Sequence, residues 1–190
     1  MIPLDAVAVI VSGGKSSRMK QDKSLLPFGH YDSLAQYQVE RLRGLFSKVY
    51  LSAKSNKFDF KVQIIQDNYE DSSPLVALIS IFENLEVEEV FILSVDAPFV
   101  ANWVIETLYK HTEPTVDIVM AESNNGLEPL CAIYKRSFLK EAYIALQENN
   151  HRLQSLMSNL TVKAIKIEDE DVFMNLNYPR EYEEAKSRLL

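Results

Sequence analysis

Ala6-Val7-Ala8-Val9-Ile10-Val11-Ser12-Gly13-Gly14-Lys15-Ser16-Ser17-Arg18-Met19-Lys20-Gln21-Asp22-Lys23 is the stretch from which the rest of this chain can be read. Its first six residues are apolar, short and rich in β-branched side chains, as a buried strand is. Gly13 and Gly14 follow, two of only five glycines in 190 residues. So sparing a use of glycine marks the pair as a place where the backbone turns sharply or approaches a ligand closely. Lys15, Arg18, Lys20 and Lys23 then fall within nine residues, with Asp22 the single acid among them. Backbone N–H groups beside clustered cations make an anion site, and phosphate is the usual anion. A solvated basic turn has the same composition and needs no chemistry. Gly14-Lys15-Ser16 copies the end of a P-loop, but that motif's first glycine has no counterpart in the preceding strand, and the G-x-G-x-x-G fingerprint is absent.

Composition narrows the alternatives. A chain of 190 residues, 47% hydrophobic and 25% charged, suits one globular domain with a sizeable core. No repeat, low-complexity tract or Gly/Ser linker divides it, so residues 1–190 are expected to form a single domain. A net charge of −7 argues against a nucleic-acid partner, and an acidic protein that handles anions must concentrate its cations locally. The lone Cys131 excludes an internal disulfide framework and fits a reducing, cytoplasmic setting. No signal-like N-terminus or membrane-spanning apolar run is present, so no membrane partner is expected.

Downstream of the loop, Ser33 and Gln36 read as a capping box for a helix through about Phe46. Lys48–Ala53 and Val62–Ile65 read as strands, and Pro74 opens a helix through Leu85. Val90–Val95 is apolar on both faces, as central parallel strands are. Strands alternating with helices predict a three-layer α/β fold, Rossmann-like, with a mostly parallel sheet. Ligands in such sheets bind at the carboxyl ends of the strands, near the point where strand order reverses. Val116–Ala121 and Leu130–Tyr134 read as strands of a hairpin turning at Asn124-Asn125-Gly126. Arg136–Gln147, His151–Met157 and the chain beyond Pro179 read as helices, and Glu168–Asp171 as a solvated acidic turn. His30, His111 and His151 show no partner spacing and are assigned no role.

Asp96, in Asp96-Ala97-Pro98, stands just past the apolar strand. A carboxylate there faces the ligand rim and is expected to be extended, upstream of proline. Mg²⁺ is typically held by one or two carboxylates plus substrate phosphates, so Asp96 is a candidate metal ligand; a cap of the Asn102–Tyr109 helix is the plainer reading. Asp67, by itself, is a turn residue after its strand. Asn175 and Asn177 alternate around Leu176, so both amides can project the same way, while Asn177 can also cap the last helix.

The quoted loop resembles the signature of nucleotidyltransferases similar to molybdenum cofactor guanylyltransferase, roughly L-A-G-G-x-S-x-R-M-G-x-D-K, which stands here as V-S-G-G-K-S-S-R-M-K-Q-D-K. Ser12 replaces the family's Ala, and Lys20 its Gly. Asp96-Ala97-Pro98 matches the family's D-x-P unit with its metal-binding aspartate, and Asp67 the aspartate that helps bind the guanosine nucleotide. Ser52 takes the place where relatives often carry Asn. Ser73-Pro74-Leu75-Val76-Ala77 resembles G-P-L-A-G with both glycines replaced. Glu128-Pro129-Leu130-Cys131-Ala132 resembles a segment beside the acceptor. Phe173-Met174-Asn175-Leu176-Asn177-Tyr178-Pro179-Arg180-Glu181 resembles F-x-N-x-N-x-P-x-E/D, whose asparagines contact the pterin.

The resemblance implies transfer of GMP from GTP to molybdopterin, with or without molybdenum, giving the guanine dinucleotide cofactor and pyrophosphate. It implies Arg18, Lys23 and Asp96 as catalytic residues, Asp96 holding Mg²⁺ and the two cations facing the phosphates. Val11, Ser12 and Gly13 would hold guanine or ribose through their backbone, with Ser52 and Asp67 on the nucleotide and Asn175 and Asn177 on the acceptor. Partners for molybdenum insertion or molybdoenzyme maturation fit such a role, and the oligomeric state stays open. Two alternatives remain: another nucleotidyltransferase, acting with CTP or on a sugar phosphate, and a non-catalytic GTP-binding escort of the cofactor.

Overall fold

The computed structural model describes residues 1–13 and 21–188. Its centre is a seven-stranded sheet in the order β3-β2-β1-β4-β6-β5-β7. The strands are β1 (Val7–Val11), β2 (Lys48–Ser52), β3 (Gln63–Ile65), β4 (Glu89–Ser94), β5 (Ile118–Ser123), β6 (Gly126–Lys135) and β7 (Val162–Lys166). Every neighbouring pair is parallel except those made by β6, which runs against both β4 and β5. The helices are α1 (Leu34–Arg43), α2 (Pro74–Asn84), α3 (Asn102–Lys110), α4 (Leu139–Gln147), α5 (Leu153–Leu156) and α6 (Pro179–Ser187). This is the expected three-layer α/β fold.

Strands at the centre are apolar on both faces because both are covered. Ala8 and Ile10 of β1 join Phe91 and Leu93 of β4 in the core beneath α1, α3 and α6. Val7, Val9 and Val11 join Val90 and Ile92 in the core beneath α2, α4 and α5. α2 sits nearly sunk in that second core, eight of its residues buried, and Pro74 stands in its first turn after the Ser73 cap, whose side chain accepts from the Val76 N–H. No helix among the described residues is long and apolar enough to cross a membrane.

Several expected boundaries shift. α1 stops at Arg43, where Gly44 closes the last turn, rather than near Phe46. The Ser33 hydroxyl accepts from the Gln36 N–H, as an N-cap does. β6 begins at Gly126 rather than Leu130, so the hairpin turns over Asn124 and Asn125, and Gly126 takes φ +117°, a conformation that suits glycine. The helical reading of Arg136–Gln147 resolves into a 3₁₀ turn at Arg136–Phe138 followed by α4. β7 is an edge strand not singled out in the sequence reading, and its outward Lys163 and Lys166 guard that edge.

Strand order reverses at β1. β2 and β3 lie on one side of it and β4 on the other, so a crevice opens beyond the carboxyl ends of β1 and β4. Val11 pairs with Ser94 in register, and the Val95 N–H donates to the Val11 carbonyl at 3.0 Å. The quoted loop and Asp96 therefore leave neighbouring strands side by side.

Candidate functional site

Asp96 lies in a turn closed by the Ala97 N–H on the Ser94 carbonyl at 3.2 Å. The extended conformation expected upstream of Pro98 is not adopted, because proline restricts the residue immediately before it, Ala97, and leaves Asp96 free to turn. The turn aims the carboxylate at two donors. Ser94 Oγ donates to Oδ1 at 2.5 Å, and the Lys23 ammonium donates to Oδ2 at 2.6 Å. Both side chains are largely shielded, with 15% of Lys23 and 19% of Asp96 exposed. Lys23 Nζ also donates to Asn177 Oδ1 at 3.1 Å.

Lys23 is held by what precedes it. It opens a 3₁₀ turn, Lys23–Leu25, capped by Asp22, whose Oδ1 accepts from the Ser24 N–H at 3.1 Å and the Ser24 hydroxyl at 2.6 Å. Lys57 pairs with the other Asp22 oxygen. Burial works to raise the Asp22 carboxyl, but hydrogen bonds from Lys57 and Ser24 outweigh it and hold the group below the ordinary carboxylate range.

The segment after residue 173 closes the other side. The Leu176 N–H donates to the Asp96 carbonyl at 2.9 Å, which brings Asn175 and Asn177 into the same cavity wall as Asp96. Tyr178, not Asn177, is the N-cap residue of α6, and the Glu181 carboxylate accepts from the N–H groups of Asn177 and Tyr178 at 2.6 and 2.9 Å. The capping alternative for Asn177 is thereby overturned, since its side chain serves Lys23 instead. The cavity has a volume of about 250 Å³, and Glu128, Leu130 and Phe173 line it too.

On the β1 side, the Ser12 N–H and hydroxyl both donate to the Ser52 carbonyl at 2.9 Å. The Val11 carbonyl and both Ser12 donors are thus engaged inside the protein, in the segment whose backbone is expected to hold guanine or ribose. Gly13 is exposed, has no left-handed φ, and a Cβ built there would meet nothing within 4 Å among the described residues. Arg18 lies outside the described residues. Ser52 is buried at the end of β2. Asp67 follows β3 on the same rim, and its Oδ1 is a buried acceptor with no hydrogen-bond partner among the described residues. Burial pushes the Asp67 carboxyl up, with the charge of Lys54 opposing. A buried acceptor without a donor is costly unless a ligand supplies one.

Among the described residues no group of three or more His, Cys, Asp or Glu side chains is arranged to hold a metal ion. The oxygen donors gathered at Asp96, a carboxylate beside two amides, nonetheless fit a hard cation that takes most of its ligands from phosphates and water. None of the three histidines lines the cavity.

Two parts of the site escaped the sequence reading. Gln38 and Arg41 of α1 brace the Asp96 loop from below: Gln38 Nε2 reaches the Ser94 and Val95 carbonyls at 3.4 Å, and Arg41 donates to Gln38 Oε1 and to the Val100 carbonyl. Gln38 is fully buried, and its place four residues after Leu34 and four before Leu42, on the apolar stripe, was the available signal. Glu128 was noted only as part of its segment.

The chain matches the MobA-like NTP transferase domain family over residues 8–164. It is 40% identical over 183 residues to a molybdenum cofactor guanylyltransferase of Campylobacter jejuni, covering 95% of each chain. It is 32% identical to one of Helicobacter pylori, covering 93% of this chain and 90% of that protein. The crystal structure of molybdopterin-guanine dinucleotide biosynthesis protein A from Archaeoglobus fulgidus superposes with a TM-score of 0.83 at 19% identity, covering 96% and 97% of the two chains.

Proposed function

The chain belongs to the MobA-like NTP transferase domain family, and on that premise we propose that it is a guanylyltransferase, moving GMP from GTP to molybdopterin and releasing pyrophosphate. The observation that carries this reading is the shielded contact of Lys23 with Asp96 at the β1–β4 switch point, where the family loop meets the D-x-P turn. The names of the relatives support GTP and molybdopterin as the substrate pair.

In the reaction a terminal phosphate oxygen of the acceptor forms a bond to the α-phosphorus of GTP, and the bond from that phosphorus to the β-phosphate bridging oxygen breaks. No general base is needed, because a phosphate monoester is largely dianionic near neutral pH. The chain's part is to position two polyanions and offset their charge. Asp96 would hold Mg²⁺, and Asn175 and Asn177 are assigned to the acceptor. The bound ion would neutralise triphosphate charge and help align the α-phosphorus. Lys23 balances Asp96 in the free protein, and its three N–H donors allow it to turn to the phosphates when they arrive. Arg18 is assigned to the same phosphates. The backbone of Val11, Ser12 and Gly13, with Ser52 and Asp67, is assigned to the nucleoside, the Asp67 oxygen suiting a hydroxyl or ring N–H donor. We read the N-terminal part of a single domain as the nucleotide side and the C-terminal part as the acceptor side. The buried Cys131 suits a reducing cytoplasm.

Pyrophosphate release from GTP, CTP and ATP, with molybdopterin as acceptor and with and without Mg²⁺, tests the reading. Turnover with GTP alone, dependent on the divalent ion, is expected. Preference for CTP, or GTP binding without pyrophosphate release, would replace it with a cytidylyltransferase or an escort.

A further inference from the structure

His151 stands outside the cavity beside Asp96, yet it reaches across to the first turn of α2. Its Nδ1 lies 2.9 Å from Ser73 Oγ, and its Nε2 lies 3.0 Å from Asn149 Oδ1 and 3.9 Å from Asp71 Oδ2. An ionised carboxylate only accepts, so Nε2 carries the proton of the neutral ring and Nδ1 is left as an acceptor. Ser73 Oγ already accepts from the Val76 N–H at 3.2 Å, which turns its own proton to Nδ1. The cap of α2 is therefore latched to the imidazole.

The end of α4 delivers this ring. Asn149 takes a left-handed φ of +54°, which asparagine tolerates better than most residues. Its N–H returns to the Leu146 carbonyl at 3.0 Å, and that of Asn150 to the Ala145 carbonyl at 2.8 Å. This paired closure stops α4 and fixes the angle at which the chain leaves it, with His151 two residues on. α4 grips the same neighbour a second time. The hydroxyls of Tyr143 in α4 and of Tyr69 both donate to Glu83 Oε1 of α2, at 2.9 and 2.7 Å, and Asn68 Nδ2 donates to Oε2 at 2.7 Å.

Between these grips lies the link from β3 to α2, residues 66–73, which carries Asp67. The Asn68 N–H donates to Ser80 Oγ at 2.9 Å near its start, and the Ser73 cap ends it. Leu75 of the first turn is buried in one core with Val11 and Ile65, the last residues of β1 and β3, so this turn sits at the carboxyl rim of the sheet. Ser73 stands where the resembling family segment has glycine, which offers no hydroxyl to latch. We propose that His151 is a positioning residue for the nucleotide: by holding the Ser73 cap it holds the link that aims Asp67 at the nucleoside. This rests on the guanylyltransferase reading. Asp96, Asn175 and Asn177 come from other segments, so the effect falls on GTP and spares the acceptor.

The test uses the full chain and its H151A, H151N, S73A and H151A/S73A variants, with folding checked by circular dichroism. GTP affinity is measured by calorimetry without acceptor, and kcat and KM for GTP and for molybdopterin by pyrophosphate release. H151A is expected to weaken GTP about three- to tenfold, the loss given by one ordinary hydrogen bond, with kcat and KM for molybdopterin within about twofold. H151N, whose amide oxygen can take the place of Nδ1, should recover part of the loss. The double variant should bind GTP no more weakly than S73A, because the latch needs both partners. GTP affinity unchanged in H151A, an H151N variant as weak as H151A, a parallel loss in kcat and both KM values, or full additivity of the two substitutions would overturn the proposal. GTP binding that depends on His151, without GMP transfer, would uphold the positioning role and remove the transferase reading. GMP transfer by an H151A variant that binds GTP normally would do the reverse.

Discussion

Asp96 takes hydrogen bonds on both oxygens, from Ser94 two residues back and from Lys23 seventy-three residues away. Removing it takes away the charge that Lys23 balances and the carboxylate we propose as the Mg²⁺ ligand. Asp96→Ala is expected to fold normally and lose at least about a hundredfold in turnover, of order 3 kcal/mol. A pyrophosphate assay beside a circular dichroism spectrum checks this, and near-normal turnover would exclude Asp96 from the reaction. Asp22 supports Lys23 at one remove and leaves a signature in stability. Its folded carboxyl lies below the unfolded value of 3.8, so its contribution is fully present above that pH and is lost as pH falls through the lower folded value. Between neutrality and pH 3, Asp22→Asn should therefore lose less stability than the wild type, as read by urea unfolding across that range. Both residues were visible in the linear chain because each sits at a punctuated point, one after a buried strand and one at the end of a glycine loop. Their pairings were not visible, since Lys57 meets Asp22, and Lys23 meets Asp96, from distant parts of the chain.

At the scale of elements, the helices and central strands appeared where periodicity and capping residues placed them, with ends moved by a few residues. The bulge in β6, where Pro129, Leu130 and Cys131 stand between the pairings of Glu128 with Ala121 and of Ala132 with Met120, did not. A bulge is a mismatch between two strands, and neither strand carries it alone. α1 shows a similar limit: its apolar stripe was read, but the purpose of the polar Gln38 within it depends on the Ser94–Val100 loop that packs there. Gln38→Leu is expected to leave the Ser94 and Val95 carbonyls without that donor and the Arg41 guanidinium with only the Val100 carbonyl of its two acceptors. The cost should be about 2–3 kcal/mol, seen as a lower urea midpoint. Turnover should fall by more than the folded fraction does, because the same loop carries Asp96. A variant as stable and as active as the wild type would show that the brace is idle.

Over the whole molecule, two cores clamp the sheet, and the site lies at its rim, where the first core ends in Ala97, Val100, Cys131 and Phe173 and the buried residues of the second, under α2, take no part in the cavity wall. A cavity in the core should then cost stability and spare chemistry. Leu78→Ala in α2, at a fully buried position, is expected to lose about 2–5 kcal/mol. KM for GTP should stay unchanged below the melting range. A selective loss of GTP affinity at constant stability would contradict that separation. The linear chain by itself determined which segments other than β7 are strands and helices, where the apolar faces lie, and that a cationic glycine loop and a carboxylate each follow a buried strand. These are properties of short windows, set by side-chain period, backbone freedom and capping chemistry. Only the tertiary structure decided that β1 and β4 are neighbours, that Lys23 meets Asp96, that Asn177 leaves the helix end for that pair, and that Glu128 turns into the same cavity. Those contacts depend on strand order and register between distant segments, and pairing across a sheet is fixed by the joint burial of all its faces.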